Sequence, residues 1–202
     1  MPTIVQGRLA WVTLGSALLG LTGALASVAV GQQPFERAPW LQTGGLEAAL
    51  VSVVLGACVA GITILGSRLS VRRFAWARAL HGSLRPIIVG QSDAAIGLMA
   101  FASGFGEELF FRGFLSPLVG VALSSIAFGL LHQVRGPGRV AWTLWAAGLG
   151  AVLALIYALT GTLLGPIVAH VAINAANLRY LRDNDLDRAP RKRRLGGLFA
   201  RR

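Results

Sequence analysis

Apolar residues along the chain come in runs about as long as a bilayer is thick, with polar residues gathered in the gaps. A membrane core takes roughly 20 helical residues to cross, so runs of that length predict spanning helices. The first is residues 9–30, preceded by Arg8, and the second is 46–66. From Ser67 to Gly90 the pattern turns basic, with Arg68, Arg72, Arg73, Arg78 and Arg85, while Leu69, Trp76, Leu80 and Leu84 fall on one side of a helical projection. That spacing predicts an amphipathic linker along the membrane surface, ended by Pro86. Apolar runs resume at 92–115, 121–134, 140–160 and 162–178, with a turn between Pro117 and Gly120 and a tight basic loop from Arg135 to Arg139. The expected fold is all-α, a polytopic transmembrane helical bundle of about six spans.

Composition agrees with that pattern. At 54% hydrophobic and 13% charged, with a mean hydropathy of +0.65, the 202-residue chain is too apolar for an ordinary soluble domain. The net charge of +11 is grouped in loops and at the C-terminus, which suits topology and anionic lipid and argues against a nucleic-acid partner. With both termini in the cytoplasm, 17 of the 19 Lys and Arg residues fall on that side, leaving Arg37 in an outer loop and Arg112 within a span. Cys58 is the single cysteine, so an intrachain disulfide is excluded; within its apolar run it reads as a packed, inert thiol. Ala24-Leu25-Ala26 has the form of a signal-peptidase site, but the run around it is longer than a signal-peptide core, so a retained first span is expected. His81, in the basic linker, reads as a solvated or interfacial residue.

The chemistry lies in the second half. Glu107, Glu108 and Arg112 interrupt an apolar run, and each ionised side chain near a bilayer centre costs roughly 2.5–3.5 kcal/mol on insertion scales, so such residues face a protein or water-filled interior. Arg112 follows Glu108 by one helical turn, where the two can pair. Glu107 points about 100° away and has no such local partner. His132 closes the fourth run with Phe128 one turn before it, and His170 and Asn174 share a face of the sixth. Together these residues would supply a base, an imidazole to orient it and two oxyanion donors, enough for acyl-group hydrolysis. A turn at Pro117 would leave Glu107 and His132 about 9 Å apart in depth, whereas a turn at Gly120 would nearly equalise them.

Three motifs in this order, Glu107-Glu108-x-x-x-Arg112, Phe128-x-x-x-His132 and His170-x-x-x-Asn174, resemble those of the CPBP intramembrane proteases, the group that contains the type II CAAX prenyl endopeptidases and bacteriocin-processing or immunity homologues. The Phe111 to Leu115 continuation is similar as well. The resemblance implies a glutamate-type peptidase in which Glu107 with His132 activates water, His170 with Asn174 stabilises the oxyanion, and Glu108, Arg112 and Phe128 support the site. No metal is expected, since His-Glu-x-x-His is missing; were zinc used, its ligands would be Glu107, His132 and His170. The organisation expected is a two-span region with its basic linker over 1–91, a CPBP-type helical core over 92–180 and a basic cytoplasmic tail over 181–202. The implied substrate is a membrane-embedded or membrane-associated peptide or protein, met in the bacterial inner membrane, with anionic lipid at the linker and tail. The competing readings are a non-catalytic partner or immunity protein that keeps the polar cluster, and a small proton- or cation-coupled transporter.

Overall fold

A computed structural model describes residues 2–42, 44–134, 136 and 138–186. Arg135 of the basic loop and the tail arginines from Arg188 onward, with Lys192, lie outside these residues. The elements are α1 (Pro2–Ala29), α2 (Gly45–Arg73), α3 (Ala75–Ile88), α4 (Asp93–Glu108), a π-helical stretch Leu109–Leu115, α5 (Ser116–Leu131), α6 (Arg139–Thr160) and α7 (Leu164–Asp183). Among the described residues there is no strand beyond an isolated bridge between Glu36 and Thr162. That bridge, with Arg37 N–H donating to Gly161 O at 2.9 Å, ties the loop after α1 to the α6–α7 corner. Four stretches are long and apolar enough to cross a membrane: Leu9–Ala29, Gly45–Arg73, Asp93–Leu131 and Arg139–Thr160. The protein is thus an all-helical membrane protein. α7 is as long as a bilayer core, roughly 30 Å, but more polar, because it carries His170, Asn174 and Asn177.

Asp93–Leu131 bends back on itself. Gly120 takes φ 83° and ψ 169°, a left-handed conformation open to glycine, and reverses the chain. The turn is therefore at Gly120 and not at Pro117, which is accommodated in the first turn of α5, where a missing N–H costs little. From Gly120 back to Glu107 and forward to His132 the residue counts nearly match, so both side chains stand at similar depth.

The basic linker differs from expectation. Nothing in Ser67–Arg73 breaks a helix, so those residues prolong α2 to 29 residues, and only after the extended Phe74 (φ −114°, ψ 134°) does the amphipathic α3 begin. Leu69 accordingly faces outward, apart from Trp76, Leu80 and Leu84. Pro86 does not end α3; it sits in the last turn, and the helix runs on to Ile88. His81 is buried, its Nε2 2.8 Å from Asn184 O and its ring edge-on to Tyr180, because α3 folds against the end of α7. Cys58 is exposed on the outer face of α2 instead of packed within the chain.

Packing follows small residues, as it does where lipid removes the hydrophobic drive between helices. α2 crosses α7 with Gly56 against the Gly165 backbone, and Gly165 N–H donates to Ser52 Oγ at 3.0 Å, an approach that a Cβ at either glycine would block. Leu9, Ile88 and Ile96 pack together beside Leu178 and Leu181, so the start of α1, the end of α3, the start of α4 and the end of α7 meet at one end of the bundle. The arginines of 68–85 belong to this same end.

Candidate active site

Glu107 and Glu108 are the last two residues of α4, where the helix widens into the π-helical stretch. Ser116 N–H reaches back to Phe111 O, five residues away, and Ser27 Oγ on α1 donates to Gly113 O at 3.2 Å. Such π-helical turns are rare and concentrate at functional sites. Here the widened stretch keeps Arg112 one turn from Glu108 while the neighbouring carboxylate faces elsewhere.

Glu108 is sealed. It is 0% exposed and accepts on Oε1 from Arg112 Nη1 at 2.8 Å and from His170 Nδ1 at 2.7 Å. Arg112, 1% exposed, also donates through Nη2 to Gly150 O at 3.0 Å and lies 4.4 Å from the Phe128 ring centre. Cation, anion and imidazole thus form one desolvated cluster, roofed by Phe128, which meets His170 edge-on at 5.8 Å. A carboxylate can only accept, so His170 Nδ1 carries the hydrogen of that bond. Its Nε2 then bears a hydrogen only in the imidazolium.

Glu107 is open. It lines a cavity of about 290 Å³ with Ser16 and Leu19 of α1, Phe111, and Leu131 and His132 at the end of α5. His132 Nδ1 donates to Phe128 O at 2.8 Å, and since a carbonyl only accepts, the neutral ring carries its hydrogen on Nδ1 and its lone pair on Nε2. That Nε2 faces Glu107 Oε2 at 3.5 Å, and His170 Nε2 lies 3.9 Å from the same oxygen. Two acceptors at that separation do not bond to each other; a donor between them, such as water, would satisfy both. Glu107 Oε2 is itself buried with no hydrogen-bond donor among the described residues.

Glu107, Glu108, Arg112, Phe128, His132 and His170 therefore come together from three separate segments. Asn174 stands one turn beyond His170 on α7 and donates its amide to Ser103 Oγ of α4 at 2.9 Å. Ser103 and the Gly150 carbonyl have no counterpart in the motif reading: a serine and a glycine inside apolar runs give no sign of such a bond. Among the described residues no group of three or more His, Cys, Asp or Glu is placed to hold a metal ion.

The described residues thus form a helical bundle with four stretches long and apolar enough to cross a membrane and a polar centre of two carboxylates, two imidazoles and a guanidinium. Residues 91–176, from just before α4 into α7, match the family model of Rce1-like type II CAAX prenyl endopeptidases, which supports the likeness of this stretch to the CPBP intramembrane proteases. Comparison with curated proteins and with solved structures finds no match in either.

Proposed function

We propose that this chain is an intramembrane endopeptidase that hydrolyses a peptide bond in a membrane-embedded or membrane-associated substrate, with Glu107 and His132 activating the water. The observation that carries this reading is the pair of acceptors, Glu107 Oε2 and His132 Nε2, facing each other across 3.5 Å on a cavity wall. A water there donates one hydrogen to each and turns its lone pair toward a carbonyl carbon. As the C–O bond forms, Glu107 takes the proton, and it returns that proton to the leaving amine when the C–N bond breaks. His170, as the imidazolium, and the second amide hydrogen of Asn174 donate to the oxyanion. Glu108 and Arg112 hold His170 in place and cancel each other's charge. The family match supports the proteolytic class, and the sealed Glu108 beside an open Glu107 supports the division of roles.

The test compares the membrane proteome of a deletion strain rescued by wild type with one rescued by Glu107→Gln. New N-termini should appear only with wild type, and cleavage of the peptides so found should persist with purified protein after exhaustive chelation. Identical peptides in both strains would leave the polar cluster as a packing or partner-binding element. Activity lost on chelation and restored by zinc would turn Glu107, His132 and His170 into ligands.

The same reading places both termini on the cytoplasmic side of an inner membrane crossed six times, counting α5 with its following loop and α7 as crossings. The gathering of the start of α1, the end of α3 and the end of α7 at one end supports it. Reporters fused after Gly31, Gly82 and Arg202 should read outside, inside and inside; an outside signal at Gly82 would overturn the count.

A further inference from the structure

Away from the candidate active site, the seam between α2 and α6 is loosely closed, because α2 packs chiefly along α7. Two concavities lie on it. At the basic end a cavity of about 110 Å³ is bordered by Arg68, Trp76, Trp142, Trp145 and Tyr180. Deeper along the same seam a groove of about 490 Å³ is lined by Val59, Ile62, Leu144, Gly148 and Val152, with Thr63 its one polar side chain. Trp145 borders both, its ring edge close over Gly66 where they meet, so the two lie end to end as one track along the seam with the indole at their junction.

From this track we infer a binding site for a single anionic phospholipid, its headgroup phosphate at Arg68 and one acyl chain in the groove beneath. The dimensions fit. From Arg68 to Val59 the helix rises about 14 Å, close to the ~15 Å half-thickness of a bilayer core. The lining changes in the sense a lipid requires, from a cation and indole rings at the water boundary to aliphatic side chains below.

The charge fits as well. The Arg68 guanidinium is fixed before any ligand arrives: it donates to Asn177 Oδ1 at 2.8 Å, to Ala176 O at 2.8 Å and to Ser67 Oγ at 3.3 Å, and it lies 3.8 Å from the Tyr180 ring centre. Those bonds leave the Nε–H and one Nη2 hydrogen for a phosphate oxygen. The acids of this end are engaged elsewhere, Asp93 and Asp183 with Arg182 and Asp185 with Arg85. Arg68, Arg72, Arg73 and Arg78 have no acidic partner among the described residues, which leaves an excess of positive charge at the mouth of the track.

The site is tested on the purified full chain by native mass spectrometry after delipidation in detergent, titrating phosphatidylglycerol against phosphatidylcholine of the same acyl chains. Wild type should retain a single phosphatidylglycerol and bind it at least about fivefold more tightly than phosphatidylcholine, the factor expected for one basic residue at a membrane surface. Arg68→Gln should remove that preference. Gly148→Leu, whose Cβ would meet no heavy atom within 4 Å, should project into the groove and weaken both lipids by about tenfold or more, with an unchanged melting temperature as the check on folding. Equal binding of the two lipids by wild type, unchanged binding by Gly148→Leu, or a lipid-free dimer closed through α2 and α6 would each overturn the site.

Discussion

Arg112 and Arg182 hold carboxylates at nearly the same distance, and the two contacts have little else in common. The Arg112–Glu108 pair, at 2.8 Å, has side chains 2% and 0% exposed, whereas Arg182 meets Asp183 at 2.7 Å and Asp93 at 2.8 Å with those acids 56% and 71% exposed. In the interior neither charge has water to fall back on, so losing one strands the other. At the basic end water and salt replace whatever is removed. The same bond length is therefore structural necessity in one region and nearly idle in the other. Glu107 stands between these cases, partly shielded yet uncommitted to any donor, which is the condition a catalytic base needs.

The largest effect that sharpens this contrast is on turnover. Glu107→Gln keeps shape and removes the base, and cleavage per folded molecule should fall by roughly 10²–10⁴ while insertion and purification stay normal. Next comes stability. Glu108→Gln leaves Arg112 buried without its anion and should cost about 3–5 kcal/mol, read as poor folded yield. If Glu108→Gln were fully folded yet as inactive as Glu107→Gln, the division between the two carboxylates would fail.

The smallest effect is expected at Arg182, beyond the spanning segments. Hydrogen bonds to Asp183 and then Asp93 hold its guanidinium above the ordinary range, and Arg182 holds the Asp183 carboxyl below its own. A depressed carboxyl contributes above its unfolded pKa of about 4 and loses that contribution as pH falls through the folded value. Arg182→Gln should thus leave the melting temperature unchanged at pH 7 in physiological salt, and any residual difference from wild type should shrink below about pH 4. A loss comparable to that of Glu108→Gln would erase the distinction between interior and rim.

Much of the architecture was legible because lipid imposes a simple code. Apolar runs of spanning length and loops of arginine mark out most of the helices from composition alone, and motif spacing brings Glu107, Glu108, Arg112, Phe128, His132 and His170 into one region. What escaped depends on three-dimensional neighbours. Nothing local distinguishes Ser103 from other small residues in its run, since its bond to Asn174 exists only once α4 meets α7. His170 reads as an oxyanion donor sharing a face with Asn174, yet its Nδ1 belongs to Glu108, a pairing that helix periodicity on α7 alone does not reveal. Proline was the stronger punctuation mark at 117, but a first-turn proline costs a helix little, and the reversal went to Gly120, whose φ of 83° other residues avoid. The continuation of α2 through Arg73 is hidden in the sequence because charge suggests a boundary that backbone propensity does not require.

The reversal at Gly120 also determines how far the return limb reaches. From Val121 to Leu131 a helix climbs only about 16 Å, roughly half of a 30 Å hydrocarbon core, before regular structure stops at His132. Beyond it, non-helical backbone at that depth must be hydrated or held by protein, because hydrocarbon offers it no partner. In the proposed six-crossing arrangement this limb is the short one, and lipid beside it would thin or admit solvent to match. His132 therefore stands where regular structure stops and also on the wall of the cavity that Glu107 lines, so the proposed hydrolysis, which consumes one water in each cycle, would draw that water from the side where the limb falls short.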